Sequence, residues 1–104
     1  MAQSQLEKLR IRLGIKTIDQ DDLLELLLEE AKDFLLTETN RTTLPVSLES
    51  TQRQLAIISY NMQGIEGQTS HSEGGISRSF EDLSPSIQKT IVQHRLLKAA
   101  RYAT

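Results

Sequence analysis

Between residues 19 and 40 the leucines recur with the spacing of one face of an α-helix. At 100° per residue, an arc of about 140° holds the apolar side chains. They are Leu23, Leu24, Leu27, Leu28, Ala31, Phe34 and Leu35. Acidic residues occupy much of the remaining surface. Asp19 is a candidate N-cap with Asp22 as its capping-box partner, and Ile18 and Leu23 are candidates for a hydrophobic staple. The pattern predicts a long amphipathic helix whose apolar face packs against other helices.

Three further segments carry helical spacing or helix-boundary signals. With the leucine-rich segment, they predict helices over residues 3–13, 19–40, 48–63 and 85–102. Gly14 stands where a left-handed C-cap would end the first helix. Ser47 and Gly64 bracket the third, which has apolar side chains on two sides. Such a helix is either central in a bundle or lies between the core and a partner. Ser84 followed by Pro85 is a typical start for the fourth.

Residues 64–84 interrupt this helical pattern and are rich in glycine and serine. Residues 76–80 alternate apolar and polar side chains, as a half-buried strand does, and Gly74-Gly75 is a candidate hairpin turn. A lone hairpin is only marginally stable in water, so we expect this segment to gain a partner on assembly. A length of 104 residues predicts one domain over residues 1–104. The expected fold is mainly α: a small four-helix bundle with an extended Gly/Ser-rich loop or β-hairpin between helices 3 and 4.

The formal net charge of −2 conceals unequal blocks. Residues 19–38 carry a net charge of −7, whereas residues 85–104 carry +4. These blocks could neutralise each other within one chain or face neighbouring copies, and the sequence leaves both open. Leu26 and Leu36 fall outside the core-facing arc. They are either ordinary exposed leucines or part of a second contact face.

Catalytic and metal-binding motifs do not rise above background in this chain. It has no cysteine, and His71 and His94 lie in different segments without a third ligand at metal spacing. Its serines, histidines and acids are not placed together by a nucleophile elbow. No run approaches 18 apolar residues, and the N-terminus lacks an apolar signal core. We therefore expect a cytoplasmic, non-enzymatic chain with no metal, no cofactor and no membrane span.

Nucleic-acid binding is the main alternative class of function. The acidic second helix would be repelled by phosphate, so the fourth helix, in a block of net charge +4, is the candidate DNA-binding element. Lys98 and Arg101 also have an ordinary explanation, because cations near a helix C-terminus are favoured by its dipole. The alternative prediction is a DNA-packaging accessory or nucleic-acid-binding protein that uses the basic C-terminal helix.

The segments follow one another in a distinctive order: LEKLRIRLGI, an acidic helix ending near TETNR, QLAIISYNMQGIEG, SHSEGGISRSFEDL and a basic terminal helix. Nearly the whole chain resembles the small head–tail connector proteins of tailed bacteriophages, also called head-completion or adaptor proteins. The most specific part of the resemblance is the glycine–serine loop, whereas acidic leucine-rich helices are common. The family is therefore suspected mainly from residues 66–80.

The resemblance implies a structural virion protein and no catalytic residue or cofactor. In that family a helical bundle with an extended loop forms a ring, of about a dozen copies, beneath the portal at the capsid vertex. The ring extends the DNA channel and carries stopper or tail-completion proteins. The implied location is the head–tail junction of the virion, after assembly in the host cytoplasm. DNA would pass through without sequence-specific binding.

Three sets of residues are expected to form interfaces in such a ring. The subunit-interface loop comprises Glu66, Gly67, Ser70, Ser72, Gly74, Gly75, Ser77, Arg78, Ser79 and Phe80. The helix interface comprises Leu26, Leu36, Ile57 and Tyr60. The portal-docking helix comprises Lys89, Arg95, Leu96, Leu97, Lys98, Arg101 and Tyr102. For Phe80 a second interpretation is open, in which its aromatic side chain covers the domain's own core as a lid.

Overall fold

The computed structural model describes residues 3–66 and 80–96. These residues form four α-helices: α1 (Gln5–Leu13), α2 (Asp21–Thr39), α3 (Glu49–Glu66) and α4 (Pro85–Gln93). Two single-turn 3₁₀-helices lie at Val46–Leu48 and Phe80–Asp82. No strand occurs in the described ranges, and the prediction of a mainly helical chain is confirmed. The core of the predicted loop or hairpin, residues 67–79, lies outside the described residues, so that feature stays a prediction.

Local signals define both ends of α1. Ser4 Oγ accepts a hydrogen bond from the Glu7 N–H at 3.1 Å, and Glu7 Oε1 accepts one from the Ser4 N–H at 3.1 Å. This reciprocal pair is a capping box. Gly14 ends the helix with φ of 75°, a left-handed conformation that glycine adopts without strain. The predicted C-cap at Gly14 is confirmed.

The start of α2 differs from the prediction. The N-cap is Gln20, whose side chain makes no capping hydrogen bond, so the expected capping box at Asp19 is wrong. Tertiary contacts hold this end instead: Arg10 Nε donates to Asp21 Oδ1 at 2.9 Å, and the Tyr60 hydroxyl donates to Gln20 Oε1 at 2.9 Å. Ile18 is 71% exposed and lies outside the core, so the predicted staple does not form.

The helices bury their apolar faces in two clusters that share α2 and α3. The α1 cluster contains Leu9, Leu24, Leu27, Leu28 and Ala56. The α4 cluster contains Ala31, Leu35, Leu55, Leu83, Ile87 and Ile91. Five members of the predicted α2 arc are buried, and the other two, Leu23 and Phe34, pack against the clusters. The predicted core-facing stripe is therefore confirmed.

α3 lies between the two clusters, as its two apolar sides predicted. Leu55 belongs to the α4 cluster and Ala56 to the α1 cluster. The helix starts from the 3₁₀ turn at Val46–Leu48 and continues through Gly64, so the predicted caps at Ser47 and Gly64 are wrong. One glycine in a helix costs only about 1 kcal/mol, which does not by itself end a helix. Residues 64–66 of the predicted loop therefore belong to α3, and residues 80–82 form a 3₁₀-helix.

α4 begins as predicted but ends early. Ser84 Oγ accepts a hydrogen bond from the Ile87 N–H, and Pro85 occupies the first helical position. The helix ends at Gln93 with His94 as its C-cap, not near residue 102. Residues 94–96 leave the helix because they are hydrogen-bonded to the C-terminal end of α2: the Leu96 N–H donates to the Thr39 carbonyl at 2.9 Å.

Candidate subunit interface

The predicted helix-interface residues divide between the surface and the core. Leu26 is 49% exposed on α2, and Leu36 is partly buried. Ile57 and Tyr60 are partly buried against the α1 cluster. Their packing stabilises the fold of the chain itself, so Leu26 is the member of this set that most clearly remains available to another molecule.

Carboxylates surround Leu26 on the outer side of α2. Asp22, Glu25, Glu29 and Asp33 are exposed, and we call these residues with Leu26 the acidic face. Leu24 is fully buried, and Leu26 lies about 200° further round the helix, so this face points away from the core. Beside it, Glu30 Oε1 is shielded from solvent without a hydrogen-bond partner among the described residues. The acidic face is a concentrated negative surface with an apolar centre.

The C-terminal junction, residues 38–41 with residues 94–96, joins α4 to the end of α2. Asn40 takes the left-handed conformation at φ of 59°, and its Nδ2 donates to the Leu96 carbonyl at 3.0 Å. Arg41 Nε donates to the His94 carbonyl at 2.9 Å. Because carbonyls at a helix C-terminus lack intrahelical partners, the Leu96 N–H satisfies one of them on α2.

Arg95 links this junction to Phe80. Its Nε donates to the Glu38 carbonyl at 2.9 Å, and its Nη2 lies 3.2 Å from Glu38 Oε1. The guanidinium carbon stands 4.9 Å from the centre of the Phe80 ring, a cation–π distance. Phe80 also packs against the α4 cluster. Phe80 therefore contacts the core of its own domain, as the lid alternative expects, and Arg95 is engaged by residues of its own chain.

His94 fixes the end of α4 against the 3₁₀ turn at Val46–Leu48. Its Nδ1 lies 2.8 Å from the Thr90 carbonyl, which only accepts, so Nδ1 is the donor there. Its Nε2 lies 2.8 Å from Ser47 Oγ. Both ring nitrogens thus have polar partners within the chain. Across residues 3–66 and 80–96, no three His, Cys, Asp or Glu side chains are grouped to hold a metal ion.

The remaining predicted interface residues are placed as follows. Glu66 is the last residue of α3, Lys89 is exposed on α4, and Leu96 is exposed after α4. The loop residues Gly67 to Ser79 and the C-terminal residues Leu97, Lys98, Arg101 and Tyr102 lie outside the described part of the chain. Their roles stay predictions.

Sequence reasoning missed a polar cluster that joins α1 to α3. Gln5 Nε2 donates to the Glu49 carbonyl at 2.9 Å and to Gln52 Oε1 at 2.8 Å, while Arg53 Nη1 donates to Gln5 Oε1 at 2.6 Å. Gln52 is buried and its Nε2 donates to the Leu28 carbonyl at 2.8 Å. Glutamine has no periodic signature, so the sequence offered no signal for these contacts.

Comparisons with known proteins identify the family of the chain. In the described ranges, no helix combines the length and hydropathy needed to cross a membrane. No curated protein and no solved structure matches the chain significantly. A comparison with protein families matches residues 3–95 to the phage gp6-like head-tail connector protein. This match takes in all four helices and the loop that suggested the resemblance, so the chain belongs to the phage gp6-like head-tail connector family.

Proposed function

We propose that this chain is the subunit of an oligomeric ring at the head–tail junction of a phage particle, between the portal and the tail or stopper proteins. The family match over residues 3–95 carries the proposal, because head–tail connectors are structural virion components. The ring would extend the DNA channel at the capsid vertex.

Exposed aliphatic side chains in and beside the C-terminal junction support portal docking at this end of the subunit. Val46 is 79% exposed, and Val92 and Leu96 are also exposed. The Ser47–His94 contact brings the turn that holds Val46 to the end of α4. An apolar surface of this kind suits burial against another protein, and exposed Lys89 on α4 would lie near its rim.

Mixing the purified chain with purified portal protein from the same genome tests this function. Negative-stain electron microscopy should show an added ring on one end of the portal. Leu96→Asp should abolish that ring by burying a charge in the contact. Ser86→Glu is the matched control, since Ser86 is exposed at the opposite end of α4 and should assemble normally. A portal that stays bare with the unmodified chain would contradict the proposal.

The DNA-packaging alternative makes a different prediction, namely duplex binding that weakens steeply with salt. Of the basic residues described in the C-terminal segment, Arg95 already contacts Glu38 and Phe80, and Lys89 is exposed. The proposed structural function predicts no duplex binding by the isolated chain even at low salt. Fluorescence anisotropy with a labelled duplex measures it, and steeply salt-dependent binding would favour the alternative.

A further inference from the structure

A second exposed face, on α1 and the following turn, complements the acidic face. We call Ile11, Arg12, Lys16 and Ile18 the basic face. Ile11 is 61% and Ile18 is 71% exposed, and the two cations between them are exposed as well. Each of the two faces therefore offers aliphatic side chains flanked by charge, and the two charges are opposite.

The acidic face and the basic face both point away from the α1 cluster. Leu9 on α1 and Leu24 on α2 are fully buried in the α1 cluster. Ile11 and Leu26 each follow two residues later, about 200° round their own helices. Each side chain thus points outward from the packing that joins α1 to α2. One subunit can consequently present both faces to different neighbours, which a head-to-tail contact requires.

Internal ion pairs leave both faces largely unneutralised. Arg10 pairs with Asp21 at 2.9 Å, and Glu38 pairs with Arg95. Neither pair includes a member of the two faces. Within about 60° of Leu26 the side chains include Asp22, Glu29 and Asp33, whereas Lys32 lies about 120° away. Among residues 3–66 and 80–96, no ion pair forms to the exposed carboxylates of this face or to Arg12 and Lys16.

Alternative contacts between copies are less favourable. Two acidic faces would oppose like charges, and so would two basic faces, which destabilises such pairings. The Arg95 guanidinium is engaged with Glu38 and Phe80, so it is poorly placed to neutralise another subunit. Glu7, which lies one turn before Ile11, has its Oε1 engaged by the Ser4 N–H. The basic face thus has the better chemical match to the acidic face.

We propose that the acidic face of α2 binds the basic face of a second copy of this chain, head to tail. This inference rests on the proposed ring and assigns the contact that closes it. Ile11 and Ile18 of one subunit cover Leu26 of the next, while Arg12 and Lys16 approach the surrounding carboxylates. A heterologous contact of this type closes into a ring when a whole number of copies completes one full turn without translation along the ring axis.

Cysteine cross-linking tests the contact directly, because the chain has no cysteine. Rings assembled on the portal from the double variant Ile11→Cys/Leu26→Cys are treated with a short bis-maleimide. Denaturing electrophoresis should then show a ladder of covalent multimers. Each single variant should stay monomeric, and a mixture of the two single variants should stop at dimers. The matched control Ile11→Cys/Gln54→Cys uses exposed Gln54 on α3 and should give no ladder.

The outcomes separate this inference from the function on which it rests. Rings that are visible on the portal but give no ladder overturn the assigned contact and leave the ring standing. Dimers from either single variant alone indicate a two-fold contact and also overturn it. If the unmodified chain adds no ring to the portal, both proposals fail.

Charge reversal provides an independent test of the same contact. Glu29→Lys/Asp33→Lys should reduce ring formation on the portal at least ten-fold, by placing cations opposite Arg12 and Lys16. Adding Arg12→Glu/Lys16→Glu to the same chain should restore most of it. Circular dichroism checks that each variant is folded. The pairing of these faces would be contradicted if the first charge reversal left ring formation unchanged. It would also be contradicted if folded protein with all four substitutions did not recover ring formation.

Discussion

α1 and α4 are both nine residues long, and both dock on the α2–α3 pair, yet they are held in different ways. α1 has a capping box at one end and a left-handed glycine at the other, formed by residues close in sequence. α4 has a local N-cap, but its C-terminal end is held by residues at and just beyond the end of α2, more than 50 positions away in sequence. The boundaries of α1 are therefore set by residues close in sequence, whereas the C-terminal boundary of α4 depends on tertiary hydrogen bonds.

The largest expected effects come from the residues that anchor each helix. Leu9 and Ile91 are both fully buried, one in each cluster. Leu9→Ala and Ile91→Ala should each lower the free energy of unfolding by about 2–4 kcal/mol, through lost burial and a residual cavity. Urea denaturation measures both. Val92→Ala is the control, since exposed Val92 should change it by less than about 0.5 kcal/mol. A loss below about 1 kcal/mol at either anchor would contradict its role.

Gly14 and Asn40 both have a left-handed backbone conformation. Substitutions at these two residues separate the cost of backbone strain from the cost of losing a tertiary contact. At Gly14 a Cβ would meet nothing within 4 Å, so Gly14→Ala should cost about 1–2 kcal/mol from strain alone. Asn40→Ala should cost about 1–2 kcal/mol in total, because alanine tolerates the left-handed conformation less well than asparagine and the hydrogen bond to Leu96 is lost. Asn40→Gly relieves the strain and should be milder. Urea denaturation of the three variants tests this, and equal losses for the two Asn40 variants would contradict the role of strain.

Ser4 and Ser84 are the N-caps of α1 and α4, so substituting each one compares how strongly the two helix starts are held. Ser4→Ala removes the hydrogen bond that Ser4 Oγ accepts from the Glu7 N–H at 3.1 Å and should cost about 1 kcal/mol of unfolding free energy. Ser84→Ala should cost less, because the Ile87 N–H lies 3.4 Å from Ser84 Oγ, a long hydrogen bond. Thermal or urea unfolding gives the order. A larger loss at Ser84 than at Ser4 would reverse the expected ranking.

Arg95 should have the smallest effect on stability and a local effect on the end of α4. Its pair with Glu38 is partly exposed, so Arg95→Ala should cost about 0.5–1 kcal/mol. Hydrogen exchange at the Leu96 amide, which donates to the Thr39 carbonyl, should speed up. The stability and the Leu96 exchange rate of Arg95→Lys should lie between those of the unmodified chain and of Arg95→Ala, since lysine keeps the charge but loses the planar guanidinium. Lys89→Ala is the control and should leave this exchange rate unchanged. An unchanged exchange rate at the Leu96 amide in Arg95→Ala would contradict the role of Arg95 in the C-terminal junction.

Periodicity predicted the helical fold because the core depends on which faces are apolar. The seven-residue arc of α2 and the two-sided character of α3 both describe the observed clusters. The start of α2 was misplaced because Asp19 has the better capping chemistry, whereas contacts to Asp21 and Gln20 hold the end. Similarly, α4 was extended to residue 102 because nothing local marks Gln93 as its last residue.

The candidate interface was only partly predictable. Leu26 was picked out because it interrupts an acidic surface, and it is exposed. Ile57 and Tyr60 were assigned to the same interface because a single-helix projection cannot tell a second core from a partner surface. The basic face was missed because Ile18 was given to a helix staple, and its exposure depends on where α2 begins.

Cryo-electron microscopy of the mature phage particle tests the central claim most directly, when the head–tail junction is reconstructed without imposed symmetry. We expect a ring of this helical subunit between portal and tail, with Leu26 of each copy facing Ile11 of its neighbour. A junction without this chain would contradict its function. A ring in which α2 faces neither neighbour would contradict the assigned contact.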